Sequence, residues 1–180
     1  MVPDQKNITP KCILVLGGAA SGKSEWAEAL TMRLSERRLY VATAEAWDDE
    51  MREKLRLHRA RRDASWRTLE APLDVAAALA DAGPGEAVLL DCATMWLTNV
   101  ILGEHDLVAA EAALLQGLRA CRAPVVIVSN EIGMGVVPDN ALSRRFREAQ
   151  GRLNQRLAGE ATHVVAVMAG LPLALKGPLP

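Results

Sequence analysis

The chain has 180 residues, half of them hydrophobic, and a formal net charge of −1. This length suits one well-buried domain, so we expect residues 11–180 to form a single catalytic domain and residues 1–10 a flexible extension. The near-neutral charge offers no basic surface for a nucleic-acid backbone, and the 3% of aromatic residues is too little for stacking on single strands. A nucleic-acid partner is therefore not expected.

The compartment is predicted from what the sequence lacks. No apolar run approaches the ~20 residues that a membrane-spanning helix needs, and residues 1–11 lack the apolar centre of a signal peptide. The three cysteines, Cys12, Cys92 and Cys121, form no C-x-x-C pair and are typical of buried residues in a reducing compartment. We expect a soluble, cytoplasmic protein without a membrane span.

A phosphate-binding motif follows the first predicted strand, at residues 13–16, and opens a predicted helix over about residues 23–36. It matches G-x-x-x-x-G-K-[ST] with Gly17, Gly18, Ala19, Ala20, Ser21, Gly22, Lys23 and Ser24. Glycines let backbone N–H groups turn towards one anion, and the helix adds its positive end. We expect Lys23 to reach the β- and γ-phosphates and Ser24 to hold Mg²⁺. The alternative is a glycine-rich turn with a chance lysine.

Strands and helices alternate through the middle of the chain. The pattern predicts strands at residues 39–43 and 66–70 and helices at about residues 48–62 and 74–81. In the first of these helices Met51, Leu55 and His58 are four and three residues apart and share one face. His58 is therefore expected to point towards protein.

A second candidate for the phosphate site is Asp91, which ends the apolar run at residues 87–90. A carboxylate at the end of a buried parallel strand is typical of a residue beside Mg²⁺ in a P-loop protein. Asp91 and Ser24 are thus the candidate metal ligands. The alternative is that Asp91 caps a following helix near Thr94.

The last third of the chain predicts a helix over about residues 106–121, a strand at residues 124–129 and a loop at residues 130–138 whose composition suggests a function. A long helix over residues 139–157 carries an apolar stripe suited to core or subunit packing. A strand at residues 163–170 follows, and residues 171–180 are expected to trail off. Strands alternating with helices predict an α/β fold with a mostly parallel sheet, helices on both faces and a site at the carboxyl ends of the strands.

Six motifs together closely resemble one family. They are residues 17–24, 40–43, 48–51, 58–59, 66–70 and 129–138, within a likeness that runs from about residue 12 to residue 168. The family is the bifunctional adenosylcobinamide kinase / adenosylcobinamide-phosphate guanylyltransferase family of cobalamin biosynthesis. A phosphate loop alone would not identify it; the loop at 130–138 and the segment at 48–58 make the likeness specific.

The resemblance implies a RecA-like P-loop NTPase fold, two reactions and a homotrimer. First, ATP or GTP phosphorylates the aminopropanol hydroxyl of adenosylcobinamide. Then GTP delivers GMP to adenosylcobinamide phosphate through a covalent guanylyl group on the histidine that matches His58, releasing pyrophosphate. It also implies that nucleotide or metal is contacted by Ala42, Thr43, Ala44, Arg59, Ala60, Arg61, Arg62, Glu70 and Asp91. Two residues depart from the family pattern: Ala20 replaces a common Arg, and Asp63 a common Pro.

Taken without the resemblance, His58 is better explained as a partly buried histidine that completes an apolar face than as a nucleophile. The arginines after it are then an ordinary solvated basic surface. Two other functions compete with the bifunctional enzyme. One is a single-step P-loop kinase in which Lys23, Ser24 and Asp91 do the chemistry, and the other is a nucleotide-dependent switch module.

Overall fold

The computed structural model describes residues 11–45 and 63–180. The expected extension at residues 1–10 and the expected helix at 48–62 lie outside the described residues.

Seven strands and five helices are present in the described part of the chain. The strands are β1 Cys12–Gly17, β2 Arg37–Ala42, β3 Trp66–Glu70, β4 Glu86–Asp91, β5 Val125–Asn130, β6 His163–Met168 and β7 Leu171–Lys176. The helices are α1 Lys23–Leu34, α2 Val75–Ala80, α3 Ala93–Leu102, α4 Leu107–Ala120 and α5 Ala141–Glu160.

The strands form one sheet in the order β3-β2-β4-β5-β1-β6-β7. Every pairing among β1 to β6 is parallel, and only β7 runs antiparallel, to β6. Because parallel strands all end at the same edge, the residues that follow β1, β2, β4 and β5 lie along one rim of the sheet. The predicted mostly parallel α/β sheet is confirmed.

Helices cover both faces of this sheet, as predicted. On one face α1 packs through Ala27 and Leu30 against Ile13, Val15 and Val128. On the other face α2, α3, α4 and α5 cover a larger core, in which Trp96 and Leu153 are almost fully buried. Residues alternate between these two cores along β1, β2, β4 and β5, since successive side chains point to opposite faces.

The last strand, β7, contradicts the prediction that residues 171–180 trail off. Ala169 and Gly170 have φ of 52° and 77° and form the two-residue turn that reverses the chain. Proline cannot donate a backbone hydrogen bond and so disfavours a strand. Pro172 is tolerated here because β7 lies at the edge of the sheet. Leu171, Leu173 and Leu175 are all exposed, so the segment also lacks the burial pattern of a core strand.

The predicted stripe on α5 is buried only in its second half. Ala149, Leu153 and Leu157 are buried, Phe146 packs partly against the core and Leu142 is 53% exposed. The first turn of α5 therefore extends beyond the sheet, next to the loop at residues 130–138.

Candidate phosphate-binding site

The phosphate loop lies between β1 and α1 and contacts the turn between β6 and β7. Gly22 precedes α1 with φ of 87°, a left-handed conformation that favours glycine. A Cβ atom at Gly22 would lie 3.0 Å from the Cα atom of Gly170. The Ser21 carbonyl also accepts a hydrogen bond from the Gly170 N–H at 2.8 Å. The sequence predicts the loop but not its contacts with Gly170, because it does not predict β7.

Two polar side chains of the loop, those of Lys23 and Ser21, differ in their hydrogen bonding. Lys23 Nζ donates to the Gly18 carbonyl at 3.0 Å, so the ammonium group lies across the loop. The Ser21 hydroxyl is buried and has no hydrogen-bond partner among the described residues. Free backbone donors at the start of a helix, together with this lysine, can bind the oxygens of a polyphosphate.

Asp91 ends β4 on the same side of the sheet as α1. Leu89 packs in the α1-side core and Leu90 in the other, so alternation places the Asp91 side chain towards α1. The Tyr40 hydroxyl donates to Asp91 Oδ2 at 2.9 Å, which leaves Oδ1 without a donor among the described residues. Sequence reasoning missed Tyr40, although it stands two residues before Ala42, the register partner of Asp91.

The oxygen donors near the loop fit Mg²⁺. Carboxylate and hydroxyl oxygens are the ligands this ion prefers, and it commonly uses one or two protein groups together with substrate phosphates and water. Asp91 keeps Oδ1 available, and Ser24 lies in the first turn of α1. Among the described residues no group of three or more His, Cys, Asp or Glu side chains could hold a metal by itself.

Asp91 does not cap the following helix. The residue before α3 is Cys92, whose Sγ accepts from the Met95 N–H at 3.4 Å. Burial, and then the nearby Asp91 charge, raise the pKa of the Cys92 thiol to about 12. Cys92 is therefore a neutral thiol at physiological pH, not a nucleophile.

Thr43 is fully buried, and its hydrogen bonds tie the end of β2 to the start of α3. Its hydroxyl donates to the Cys92 carbonyl at 2.7 Å and accepts from the Cys92 N–H at 2.8 Å. Its carbonyl accepts from Asn99 Nδ2 at 2.8 Å. Ala42 is also buried, whereas Ala44 is half-buried. The Thr43 side chain thus fixes the segment that carries Asp91.

The remaining candidates lie farther out or outside the described residues. Glu70 is exposed at the end of β3, in one row with Ala42 and Asp91, and neighbouring strands are about 4.8 Å apart. Its Cα atom is therefore roughly 10 Å from that of Asp91, at the outer edge of the sheet. His58, Arg59, Ala60, Arg61 and Arg62 lie outside the described residues.

A family model described as "Cobinamide kinase / cobinamide phosphate guanyltransferase" matches residues 13–175, which include the phosphate loop and Asp91. The chain belongs to this family. The resemblance drawn from the motifs is confirmed over nearly the whole chain. Within the described residues, no helix of this family member is long and apolar enough to cross a membrane.

Known proteins resemble this chain in sequence and in fold. The chain is 46% identical to "Bifunctional adenosylcobalamin biosynthesis protein CobP" of Pseudomonas aeruginosa, over 91% of this chain and 96% of that protein. It is 42% identical to "Bifunctional adenosylcobalamin biosynthesis protein CobU" of Salmonella typhimurium, over 91% and 99%. A solved structure of an ATPase from a bacterial type III secretion system matches with a TM-score of 0.52 at 10% identity, over 91% of this chain and 56% of that one. The predicted RecA-like P-loop fold is confirmed.

Proposed function

We propose that this protein catalyses two consecutive steps of adenosylcobalamin biosynthesis. It phosphorylates adenosylcobinamide with ATP or GTP and then transfers GMP from GTP to adenosylcobinamide phosphate, giving adenosylcobinamide-GDP and pyrophosphate. The observation that carries this proposal is the family match over residues 13–175, which runs through an intact phosphate loop. Both bifunctional relatives are covered almost end to end.

The kinase step needs positioning and charge stabilisation, which the phosphate loop can supply. The acceptor hydroxyl oxygen bonds to the γ-phosphorus, and the bond from that phosphorus to the β,γ-bridging oxygen breaks. The electron pair stays on the nucleoside diphosphate, and the hydroxyl proton leaves to water. Loop N–H groups and Lys23 surround the oxygens on which charge develops. Ser24 and Asp91 would hold Mg²⁺, which would neutralise part of the charge on the phosphates.

Guanylyl transfer through a covalent intermediate needs a nucleophile, and we propose His58. A neutral imidazole attacks the α-phosphorus of GTP and displaces pyrophosphate; a phosphate oxygen of adenosylcobinamide phosphate then displaces the imidazole. With an ordinary pKa of about 6.5, histidine is largely neutral near pH 7. His163 begins β6, at the opposite edge of the sheet from the phosphate loop, and Cys92 is a neutral thiol.

The assembly and the compartment complete the proposal. We propose a homotrimer with one catalytic domain per chain, residues 11–180. Exposed apolar side chains on β7 and on the loop at 130–138, among them Leu173 and Val136, support subunit contacts. Cys12 and Cys121 are buried and unpaired, which fits a reducing cytoplasm.

The test is a comparison of His58→Ala with His105→Ala, a matched change at an exposed histidine between α3 and α4. Each protein is incubated with adenosylcobinamide and with GTP labelled at the α-phosphate, and protein-bound GMP and corrinoid products are measured. His58→Ala should make adenosylcobinamide phosphate but neither protein-bound GMP nor adenosylcobinamide-GDP. His105→Ala should make all three.

Three results would count against parts of this proposal. Adenosylcobinamide-GDP made by a folded His58→Ala protein at the wild-type rate would exclude the covalent histidine. A wild-type protein that phosphorylates adenosylcobinamide without transferring GMP would be a single-step kinase. Nucleotide hydrolysis without either corrinoid product would indicate the switch module.

A further inference from the structure

The central strand β5 places Asn130 next to the phosphate loop. β5 lies between β1 and β4, and Asn130 is the register partner of Gly17, the first loop residue. Neighbouring strands are about 4.8 Å apart. Asp91 pairs with Val128, two residues before Asn130 on the same strand. Asn130 therefore stands at the rim of the sheet between the loop and the carboxylate.

The side chain of Asn130 points to the face that carries the phosphate loop. The preceding Ser129 faces the other way, because its hydroxyl donates to Asn154 Oδ1 on α5 at 2.7 Å. Val128 packs in the α1-side core, so alternation puts Asn130 on the α1 side as well. Asn130 is half-buried, and its side-chain amide has no hydrogen bond to any described residue.

A buried polar cluster holds the backbone of Asn130 on both sides. The Asn130 N–H donates to Thr94 Oγ1 at 2.9 Å, and the Asn130 carbonyl accepts from Asn154 Nδ2 at 3.0 Å. Gln150 Nε2 in turn donates to Asn154 Oδ1 at 2.9 Å and to Ser129 Oγ at 3.0 Å.

This cluster lies in the interior: Ser129 and Gln150 are completely buried and Asn154 is nearly so. Buried hydrogen bonds rigidify the elements they join. Gln150 Oε1 is the one buried side-chain atom of Ser129, Gln150 and Asn154 without a hydrogen-bond partner among the described residues. The end of β5 is thus fixed to α5. The side-chain amide of Asn130, by contrast, makes no hydrogen bond to any described residue.

We propose that Asn130 is a catalytic residue of the kinase step, with its Nδ2–H group donating to a non-bridging γ-phosphate oxygen. This inference rests on the proposed kinase function. A donor fixed before the substrate arrives stabilises negative charge on the transferring phosphoryl group without reorganising. The hydrogen bond changes no covalent bond and moves no proton. Asn154 is a positioning residue, because it acts on Asn130 through its carbonyl, and Gln150 is one because it holds Asn154 and Ser129.

The test measures γ-phosphate recognition apart from turnover. Wild type, Asn130→Ala and Gln155→Ala, an exposed control on α5, are titrated calorimetrically with ADP and with its β,γ-imido triphosphate analogue in Mg²⁺. Asn130→Ala should bind the triphosphate analogue about 10- to 100-fold more weakly, the usual effect of losing a hydrogen bond to a charged group. Its affinity for ADP should stay within about twofold, and Gln155→Ala should match the wild type in both.

The positioning cluster makes a second, graded prediction. Asn154→Ala should lose part of the preference for the triphosphate analogue and lower kcat, with the KM for adenosylcobinamide unchanged. A residue that only stabilised the fold would leave that preference intact in the folded fraction. Asn130→Asp, which is similar in size to asparagine, should bind the triphosphate analogue even more weakly than Asn130→Ala because it puts a carboxylate against the phosphate.

An unchanged preference for the triphosphate analogue in Asn130→Ala would overturn the inference. If Asn130→Ala does not fold, Asn130→Asp decides, and wild-type affinity for the triphosphate analogue in that variant would be equally decisive against it. Failure of the wild type to phosphorylate adenosylcobinamide would instead refute the proposed function. The binding preference would then still show whether Asn130 recognises a γ-phosphate.

Discussion

Replacing Gly17 with alanine should strain the junction of β1, the phosphate loop and β6. A Cβ atom at Gly17 would lie 2.3 Å from the Ser21 hydroxyl oxygen and 2.7 Å from the Val167 carbonyl oxygen. The hydroxyl can rotate, but the carbonyl belongs to the backbone of β6, so a strand or the loop must shift. At the neighbouring Gly18 a Cβ atom would meet nothing within 4 Å. Gly18→Ala is therefore a matched control within the same loop.

Overpacking of this kind costs about 1–3 kcal/mol, and 1 kcal/mol lowers the melting temperature of a domain of this size by about 2–4 °C. For a cost of about 2 kcal/mol, Gly17→Ala should melt about 4–8 °C below wild type, whereas Gly18→Ala should stay within about 2 °C. The measurement is thermal unfolding by circular dichroism without nucleotide, so that altered phosphate binding does not contribute. Equal melting temperatures for the two variants would refute the close approach of Gly17 to β6.

Three further predictions follow from the site and the sheet. Lys23→Ala should slow both reactions about 10³-fold or more while the protein stays folded; near-normal kinase turnover would exclude the phosphate-loop assignment. Asp91→Asn should raise the Mg²⁺ concentration needed for half-maximal kinase activity and leave the KM for adenosylcobinamide unchanged; an unaltered Mg²⁺ titration would remove Asp91 from the metal site. Hydrogen bonds from Arg67 hold the pKa of Glu86 below its ordinary 4.5, so this carboxylate stabilises the fold above pH 4.5 and less as pH falls through its folded pKa. The free energy of unfolding in urea should therefore depend less on pH below 4.5 for Glu86→Gln than for wild type. Parallel pH profiles for the two proteins would show that the ionised Glu86 carboxylate does not stabilise the fold.

The features predicted best from sequence are those encoded locally. The strand β3 has the predicted bounds, and β1 and β5 differ from prediction by one residue at each end. The phosphate loop connects the strand and helix that its motif requires. Each of these features rests on neighbouring residues alone, since an apolar run or a fixed spacing is visible without knowing what packs against it.

The features that were missed depend on contacts between distant residues. The Tyr40 hydroxyl reaches Asp91 across 51 positions of sequence, and Asn154 reaches the Asn130 carbonyl across 24. In sequence, Tyr40 is one more apolar residue of a strand, and Asn154 one more polar residue of a helix. Their roles appear only when the strand order is known. The register of β2 with β4 and the packing of α5 on β5 set those contacts, and neither can be read from local periodicity.

Successive side chains of β5 point to opposite faces of the sheet, so the end of this strand can both pack against α5 and face the phosphate loop. Ser129 points to α5 and joins the buried cluster, while Asn130 points to α1 and the phosphate loop. A shift of one residue in the pairing of β5 with β1 would exchange these directions, because side chains alternate with a period of two. The buried cluster resists such a shift, since it would take the Ser129 hydroxyl away from Asn154 and Gln150. The same buried polar groups therefore fix both the register of the central strand and the direction of the amide at its end.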